Sequence, residues 1–416
     1  MNRFQSVLGI PVLVLIAWLV FSTDRKHFPW RTVLWGIALQ TSFAMLILWT
    51  PWGRAAFEWL GAIVTQFLGF SKAGAEFLFG NIVKDEFRQT FGFQFAFAIL
   101  PTIIFVGAFM SILYHLGIMQ RVVRAVAWVM SKTMGTSGAE SLSCAANIFV
   151  GQTEAPLVVA PFLRTLTRSE LMAVMAGGFA TIAGGVMAGY ILLGIPAKHL
   201  LAASVMSAPA ALLFAKIMLP EHEKPLTAGR VQMPDMERHT NLLDAAAAGT
   251  RDGLKLAVNV GAMLLAFIAL IALVNALLNW MHGAFFDWGF MYFPASLRDI
   301  FSVIFSPVGF VVGVPWSECR DFGYLIGTQI SVNEFVAYIE LSKMIHAGAL
   351  SERTIMLASY ALCAFANFSS IGIQIGGISG LVPERRQELA QMGLRAMFCG
   401  SLASLQTATI AGMLLG

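Results

Sequence analysis

The chain has 416 residues, of which 57% are hydrophobic and only 12% charged, and its formal net charge is +4. Soluble domains carry about 25% charged residues, so this composition, with a mean hydropathy of +0.74, excludes a soluble globular protein. The positive charge is spread over connecting segments and gives no support to nucleic-acid binding, and the four cysteines and seven histidines form no CxxC, zinc or HExxH pattern.

The first apolar run, about 8–21, has no small-residue cleavage site. It is followed directly by Asp24-Arg25-Lys26-His27, as at the end of a retained span. Spans of roughly 20 apolar residues, each able to cross ~30 Å of hydrocarbon, are expected at 4–22, 32–50, 92–118, 169–193, 199–219, 253–281, 353–380 and 390–415. Between the second and third, 51–89 carries Arg54, Glu58, Lys72, Glu76, Lys84 and Arg88, which fits an interfacial helix rather than a span. The stretch 119–132, with Arg121, Arg124 and Trp128, has the same character.

Two apolar stretches fall outside this count. The first, 139–163, contains Asn147-Ile148-Phe149-Val150-Gly151-Gln152-Thr153-Glu154-Ala155-Pro156; the second, 322–345, carries Asn333-Glu334 at its middle. Each is long enough to enter the membrane, turn and leave. Each is followed by a span interrupted at its own midpoint, Thr181-Ile182-Ala183-Gly184-Gly185-Val186 in one case and Phe365-Ala366-Asn367-Phe368-Ser369-Ser370-Ile371-Gly372 in the other, and then by a clean span. Corresponding interruptions in two halves point to a transport site at an inverted-repeat interface.

The expected fold is therefore an all-α polytopic membrane protein of eight transmembrane helices and two re-entrant hairpins, built as an inverted repeat with broken helices. Scaffold helices and the interfacial helix occupy 1–118, and the first repeat occupies 119–219 (hairpin 138–164, broken span 169–193, span 199–219). A cytoplasmic linker at 220–252, with Pro220, Pro225, Pro234 and Arg238, leads to a long scaffold helix at 253–281. The second repeat occupies 293–416 (hairpin 321–346, broken span 353–380, span 390–415). Lysines and arginines concentrate in 23–31, 119–135, 164–168, 220–252 and 382–389, which favours external termini.

A carboxylate at membrane depth costs at least ~2.5–3.5 kcal/mol and by default marks a substrate or ion pathway. Gln152 offers an amide that both donates and accepts, matching the edge of a nucleobase or another amide; Thr153 adds a hydroxyl, and Glu154 accepts N–H or O–H donors. In the second half Glu334 is the same kind of group, and Asn367, Ser369 and Ser370 line the break. Lys343, close to a hairpin end, is the only lysine or arginine in these four segments, so an anionic substrate is disfavoured. Each residue also has a structural alternative: Gln152 and Glu154 could brace a neighbouring helix, Glu334 could cap a half-helix, Gly184-Gly185 and Gly376-Gly377 could serve close packing, and Lys216 and Lys343 could snorkel. For ion coupling, Asn147, Thr181 and freed carbonyls at Val150 and Ile182 could supply the oxygen ligands of Na⁺. Proton coupling through a carboxylate is the alternative.

These motifs, with Leu157 after the first and Phe335-Val336-Ala337-Tyr338 after Asn333-Glu334, resemble those of the concentrative nucleoside transporters. The likeness runs from roughly residue 90 to the end, and the N-terminal part looks like the bacterial branch. The resemblance implies secondary active symport of nucleosides driven by Na⁺, or by H⁺ in some members. It also implies a homotrimer in the lipid of the plasma (bacterial inner) membrane, working by elevator-like displacement. It places Gln152, Thr153 and Glu154 on the nucleobase with Val186 and Phe365 packed against it, and Glu334, Asn367 and Ser370 on the ribose. Asn147, Thr181 and the carbonyls of Val150 and Ile182 become the Na⁺ ligands. The sequence departs from the family pattern at Ala160, where arginine is common, at Gln329, where lysine is expected nearby, and at Ala364, where glycine is usual. An intramembrane enzyme would need a Ser/His pair or an aspartate dyad, and neither is present. A passive channel fits paired breaks and buried carboxylates less well than a symporter, whether of nucleosides or of another neutral polar solute.

Overall fold

The computed structural model describes residues 2–87, 90, 92, 94–231, 233, 239–287 and 293–414; Arg88, Pro234 and Arg238 lie outside the described residues. Among the described residues every regular element is helical. The chain opens with α1 (Asn2–Ile16), which loosens into a π-turn at Ala17–Phe21, and α2 (Trp30–Trp49). The helix α3 (Pro51–Phe79) begins with proline in its first turn, where the missing N–H costs nothing, and Thr50 caps it by accepting the Gly53 N–H at 3.0 Å. α3 is not among the helices apolar enough to cross a membrane.

After α4 (Leu100–His115) comes α5 (Ile118–Met134), flanked by Gly117 and Gly135, both left-handed at φ +73° and +74°. Its buried residues Met119, Val123, Ala127, Met130 and Met134 form one helical stripe, with Arg121, Arg124 and Trp128 exposed on the other side. The first hairpin enters through α6 (Gly138–Ala146) and returns as a 3₁₀ limb over Ala155–Phe162, which carries the two prolines Pro156 and Pro161. The broken span is α7 (Arg168–Ala180) and α8 (Gly184–Leu192), followed by α9 (Ala197–Met218).

The helix α10 (Leu242–Asp287) runs 46 residues, roughly 70 Å at 1.5 Å per residue. It starts inside the stretch expected to be linker because Asn241 caps it, accepting the Asp244 N–H at 2.9 Å, and Ala245 to Ala248 are the best helix formers. A helix not expected from the apolar pattern, α11 (Leu297–Val312), follows and packs on the second hairpin, formed by α12 (Cys319–Ser331) and α13 (Glu334–His346). It stands before the second hairpin as α5 stands before the first. Its start is marked by Ser296, which accepts the Asp299 N–H at 3.3 Å. The second broken span is α14 (Glu352–Ala361) and α15 (Phe368–Leu381), and α16 (Arg386–Leu414) closes the chain.

Seven helices among the described residues are long and apolar enough to cross a membrane; the expected span at 353–380 is present as the two short helices α14 and α15. Both interruptions are shorter or earlier than expected. The first covers 181–183, and Gly184, Gly185 and Val186 already belong to α8; the second covers 362–367, and Phe368 to Gly372 belong to α15. The α15 helix resumes early because Asn367 caps it, its side-chain oxygen accepting the Ser370 N–H at 2.9 Å.

Backbone groups at these breaks have no helical partners, and in a water-poor interior each needs another. The breaks satisfy one another: the Phe365 N–H donates to the Thr181 carbonyl at 3.1 Å. The tip of the first hairpin joins them, the Gly184 N–H donating to the Phe149 carbonyl at 3.1 Å. The Gln329 amide on α12 donates to the carbonyls of Ala364 at 3.0 Å and Leu362 at 3.3 Å, so the position where lysine was expected has become a clamp on the second break.

The helices fall into two groups by burial. Within their most apolar windows, α7–α8, α9 and α16 are each 89% buried inside the chain, whereas α10 is 11% buried and lies mainly along α4. Lys216, near the end of α9, does not snorkel as expected. It is buried and its Nζ lies 2.7 Å from Glu140 Oε2 and 2.9 Å from Ser169 Oγ. Glu140 and Glu170 each close a capping box, with Ser137 and Thr167, and Ser137 Oγ donates to Glu170 Oε1 at 2.5 Å. The entry turns of the hairpin and the broken span are thus tied to each other and to α9. Lys343, by contrast, is exposed and pairs with Glu340 at 2.6 Å.

Replacing Lys216 by Met strands the Glu140 charge and should cost about 3–5 kcal/mol, read as a lowered unfolding temperature in detergent; adding Glu140→Gln should recover most of it. Gln329→Leu takes away the Ala364 carbonyl's side-chain donor, whereas the Leu362 carbonyl still accepts the Ala364 N–H at 2.8 Å, and should destabilise by about 1–3 kcal/mol, measured the same way.

Candidate substrate and ion site

The hairpin tips and the span breaks meet at one place, and a single chain of hydrogen bonds runs through them. Tyr190 on α8 donates its hydroxyl to Glu334 Oε1 at 3.2 Å, and Asn367 Nδ2 donates to Glu334 Oε2 at 2.9 Å. Asn367 Oδ1 accepts from Ser370 N at 2.9 Å and from Ser369 Oγ at 2.7 Å. Ser370 Oγ in turn accepts from Gln152 Nε2 at 3.2 Å. Finally Gln374 Nε2 reaches both Gln152 Oε1 and the Met175 carbonyl, each at 3.1 Å. The chain begins on α8, passes through the second hairpin, the second break and the first hairpin, and ends on α7.

Local sequence explains each position. Asn333 caps α13 by accepting the Val336 N–H at 2.9 Å, which sets Glu334 as the first helical residue beside the tip. Glu334 is therefore not itself the cap. Asn367 both caps α15 and, through its amide nitrogen, holds the Glu334 carboxylate. Gln152 lies in the irregular turn between α6 and the 3₁₀ limb, where Gly178 on α7 makes room: a Cβ there would lie 2.5 Å from Gln374 Nε2 and 2.9 Å from Gln152 Cβ. Gly377 does the same for Thr153, whose Cγ2 would lie 2.9 Å from a Cβ at that position. In each glycine pair one member is closely packed and the other is not: a Cβ at Gly184 would lie 2.9 Å from the Phe149 carbonyl oxygen but one at Gly185 no nearer than 3.6 Å to any neighbour, and Gly376 has nothing within 4 Å.

The structure brings together Gln152, Glu334, Asn367 and Ser370 by hydrogen bonds. Phe365 is buried in the second break, and Val186 is buried on α8 one turn before Tyr190, hence on the same face. Thr153 is half-buried beside Gly377. Glu154 is set apart: it is exposed and its carboxylate folds back over Gly151 rather than toward the polar chain. Two members of the chain, Tyr190 and Gln374, were missed. Gln374 stands one helical turn after Ser370, and Tyr190 one turn after Val186, so extending each helical face by four residues would have found both.

A second group lies between the first hairpin and the first break. Asn147 is fully buried; its Nδ2 donates to the Ser143 carbonyl at 3.1 Å, while Oδ1 has no hydrogen-bond partner. Its Nδ2 sits beside Gly177, one turn before Thr181. Thr181 is buried and its hydroxyl donates to the Gly177 carbonyl at 3.0 Å, which leaves the oxygen able to accept. The carbonyls of Val150 and Ile182 accept no backbone hydrogen bond among the described residues. Such a set of oxygens, with no thiol or imidazole, fits a hard cation. The two groups share an element: Thr181, whose hydroxyl belongs to the second group, is bonded through its carbonyl to Phe365 of the first.

Chemically, the polar chain offers amides and a carboxylate with no lysine or arginine in it. It suits a neutral ligand rich in hydroxyl and amide edges. Comparison with known proteins agrees. The sequence matches the family profiles described as Na⁺ dependent nucleoside transporter N-terminus over 8–82, nucleoside recognition over 96–197 and Na⁺ dependent nucleoside transporter C-terminus over 199–412. An uncharacterized transporter of Haemophilus influenzae is 46% identical over 100% of this chain and 99% of its own length. The rat sodium/nucleoside cotransporter 1 is 43% identical over 99% of this chain, which spans 64% of that longer protein. The bacterial transporter CNTnw in an inward-facing substrate-bound state is 43% identical and superposes with a TM-score of 0.92 over 100% of this chain and 98% of its own; an outward-facing variant of it gives 0.94. The chain is thus an integral membrane protein and not an enzyme, and it belongs to the Na⁺-dependent concentrative nucleoside transporter family.

Proposed function

We propose that the protein is a secondary active symporter that imports nucleosides together with Na⁺. The observation that carries this reading is the continuous hydrogen-bonded chain from Tyr190 through Glu334, Asn367, Ser370 and Gln152 to Gln374, beside a buried Asn147 oxygen that lacks a partner. In this reading Gln152 and Thr153 bind the base, with Val186 and Phe365 packed against it. Glu334, Asn367 and Ser370 bind the ribose hydroxyls. Glu154 reaches the base only if the first hairpin tip turns inward on binding. Na⁺ takes Asn147 Oδ1, the Thr181 hydroxyl and the carbonyls of Val150 and Ile182, neutral oxygens whose dipoles replace its hydration shell.

The mechanism we assign is alternating access by displacement of the buried bundle against the α4–α10 pair. The sharp contrast in burial between α10 and the bundle supports it, as does the small set of elements that touch α10. The two repeats, 119–219 and 293–416, move as parts of the bundle, and the exposed apolar face of α10, including Leu265, Leu273 and Trp280, meets lipid or the other copies of a homotrimer. The bacterial inner membrane is the expected location. A second reading, coupling to H⁺ through Glu334, is kept because that buried carboxylate has no cationic partner among its hydrogen bonds.

Uridine uptake into proteoliposomes separates the two: a Na⁺ gradient at constant pH should drive concentrative uptake, and a H⁺ gradient without Na⁺ should not. The reverse result would move coupling to Glu334. Glu334→Ala and Gln152→Ala should each weaken uridine binding by about 10- to 100-fold, the scale of losing one or two good hydrogen bonds. Gln374→Leu, which releases Gln152 and the Met175 carbonyl from their shared anchor, should weaken it by about 2- to 10-fold; titration calorimetry reads all three.

A further inference from the structure

The turn between α1 and α2 and the first residues after α9 meet on the side that the charge distribution assigns to the cytoplasm, beside a cavity that no residue of the nucleoside site lines. There Asp24 Oδ2 lies 2.6 Å from His27 Nδ1 and 3.4 Å from His222 Nε2, and all three donor atoms fall within 4.8 Å of one another. The two imidazoles meet edge to face with centroids 5.2 Å apart. We infer that Asp24, His27 and His222 form a binding site for a borderline divalent transition metal, with Zn²⁺ as the probe.

Three features beyond proximity support this. First, the Asp24 carboxylate is already oriented: Lys26 N–H occupies Oδ1 at 2.9 Å, leaving Oδ2 as the single oxygen that faces both histidines. A ligand carboxylate held by a hydrogen bond to its other oxygen is the usual outer-shell arrangement. Second, the two contributing segments are anchored to each other independently of the three side chains. Thr23 donates to the Met218 carbonyl twice, from its N–H at 2.9 Å and from its hydroxyl at 3.3 Å. The ligands are therefore held near each other although 198 positions separate Asp24 from His222 (222 − 24). Third, the 3.4 Å between Asp24 Oδ2 and His222 Nε2 matches the roughly 3.3 Å edge of a tetrahedron with ~2.0–2.1 Å metal–ligand bonds. The 2.6 Å between His27 Nδ1 and Asp24 Oδ2 is a hydrogen bond, so metal binding requires the exposed His27 ring to re-orient, the metal replacing the hydrogen-bonded proton between it and the carboxylate.

Two imidazoles and one carboxylate suit Zn²⁺ and its neighbours in the Irving–Williams order, whereas Mg²⁺ and Ca²⁺ prefer all-oxygen shells. A fourth position would be open to water, because His27 and His222 are exposed and His27 borders a cavity of about 490 Å³ lined also by Glu140, Lys216, Glu221 and Pro225. Bound metal would pin the start of the linker across that cavity, over the buried Lys216–Glu140 pair.

The test is a competition titration of the purified protein, in detergent with Na⁺ and uridine, against a chromophoric Zn²⁺ chelator, with the visible spectrum of Co²⁺ as a second readout. The wild type should take one Zn²⁺ per chain and give the intense absorption of tetrahedral Co²⁺. The double variant His27→Ala/His222→Ala should lose affinity by more than about tenfold and lose that spectrum, while uridine affinity stays unchanged. Equal Zn²⁺ affinity in the double variant, or no saturable binding by the wild type, would overturn the assignment.

Discussion

Two helices are cut at membrane depth, and the structure depends on satisfying the backbone groups those cuts expose. An unpaired N–H or C=O buried without water costs on the order of 1–3 kcal/mol, and more in a hydrocarbon-like setting. The breaks at 181–183 and 362–367 therefore persist only because each finds partners in the other and in the hairpin tips. Phe365 N–H is met by the Thr181 carbonyl, Gly184 N–H by Phe149, the Leu362 and Ala364 carbonyls by Gln329, and the start of α15 by Asn367. Both hairpins are required for this closure, and so are both halves of the sequence.

That closure leaves a small remainder, and the remainder is where function enters. Asn147 Oδ1 is buried without a partner, next to carbonyls that no helix claims. An orphan of this kind is costly alone and becomes an advantage when a cation supplies the missing interaction. The polar chain from Tyr190 to Gln374 differs: apart from Gln374 Oε1, which is buried without a partner, its members are bonded to one another, so a ligand must offer equal or better hydrogen bonds to displace them. Discrimination follows, since a solute lacking a hydroxyl or amide edge would leave Glu334 or Gln152 with nothing in exchange. Because Thr181 serves the oxygen group with its hydroxyl and anchors Phe365 with its carbonyl, the two groups share backbone. In the proposed reading, occupancy of one alters the energy of the other, which is what coupling requires.

Much of this was legible from residue types. Long apolar runs located the helices able to cross a membrane, and the polar clusters fell where the structure has the paired short helical segments 138–162 and 319–346. The extents of the breaks were read less well. Glycine and serine suggested unwinding through Val186 and Gly372, but a single good N-cap, Asn367, is enough to restart a helix at once. The helix α11 and the early start of α10 were missed for a related reason: both follow from capping by Ser296 and Asn241, short-range signals that a search for apolar length passes over. Lys216 was misjudged because depth along a helix does not reveal a partner; Glu140 is 76 positions away in sequence (216 − 140) and becomes visible only when the hairpin is folded against α9. Gln374 and Tyr190 lie one helical turn beyond the polar motifs, on the faces of Ser370 and Val186, and neither stands in a polar cluster of its own.

The central claim, that an ion group and a nucleoside group are joined through the meeting of the two breaks, is tested most directly by titrating uridine into the purified protein at low and at high Na⁺, with choline holding the ionic strength constant. The account predicts that Na⁺ tightens uridine binding in the wild type, and that Asn147→Leu removes this dependence while still binding uridine. Uridine affinity that is independent of Na⁺ in the wild type, or a dependence that survives in Asn147→Leu, would contradict it.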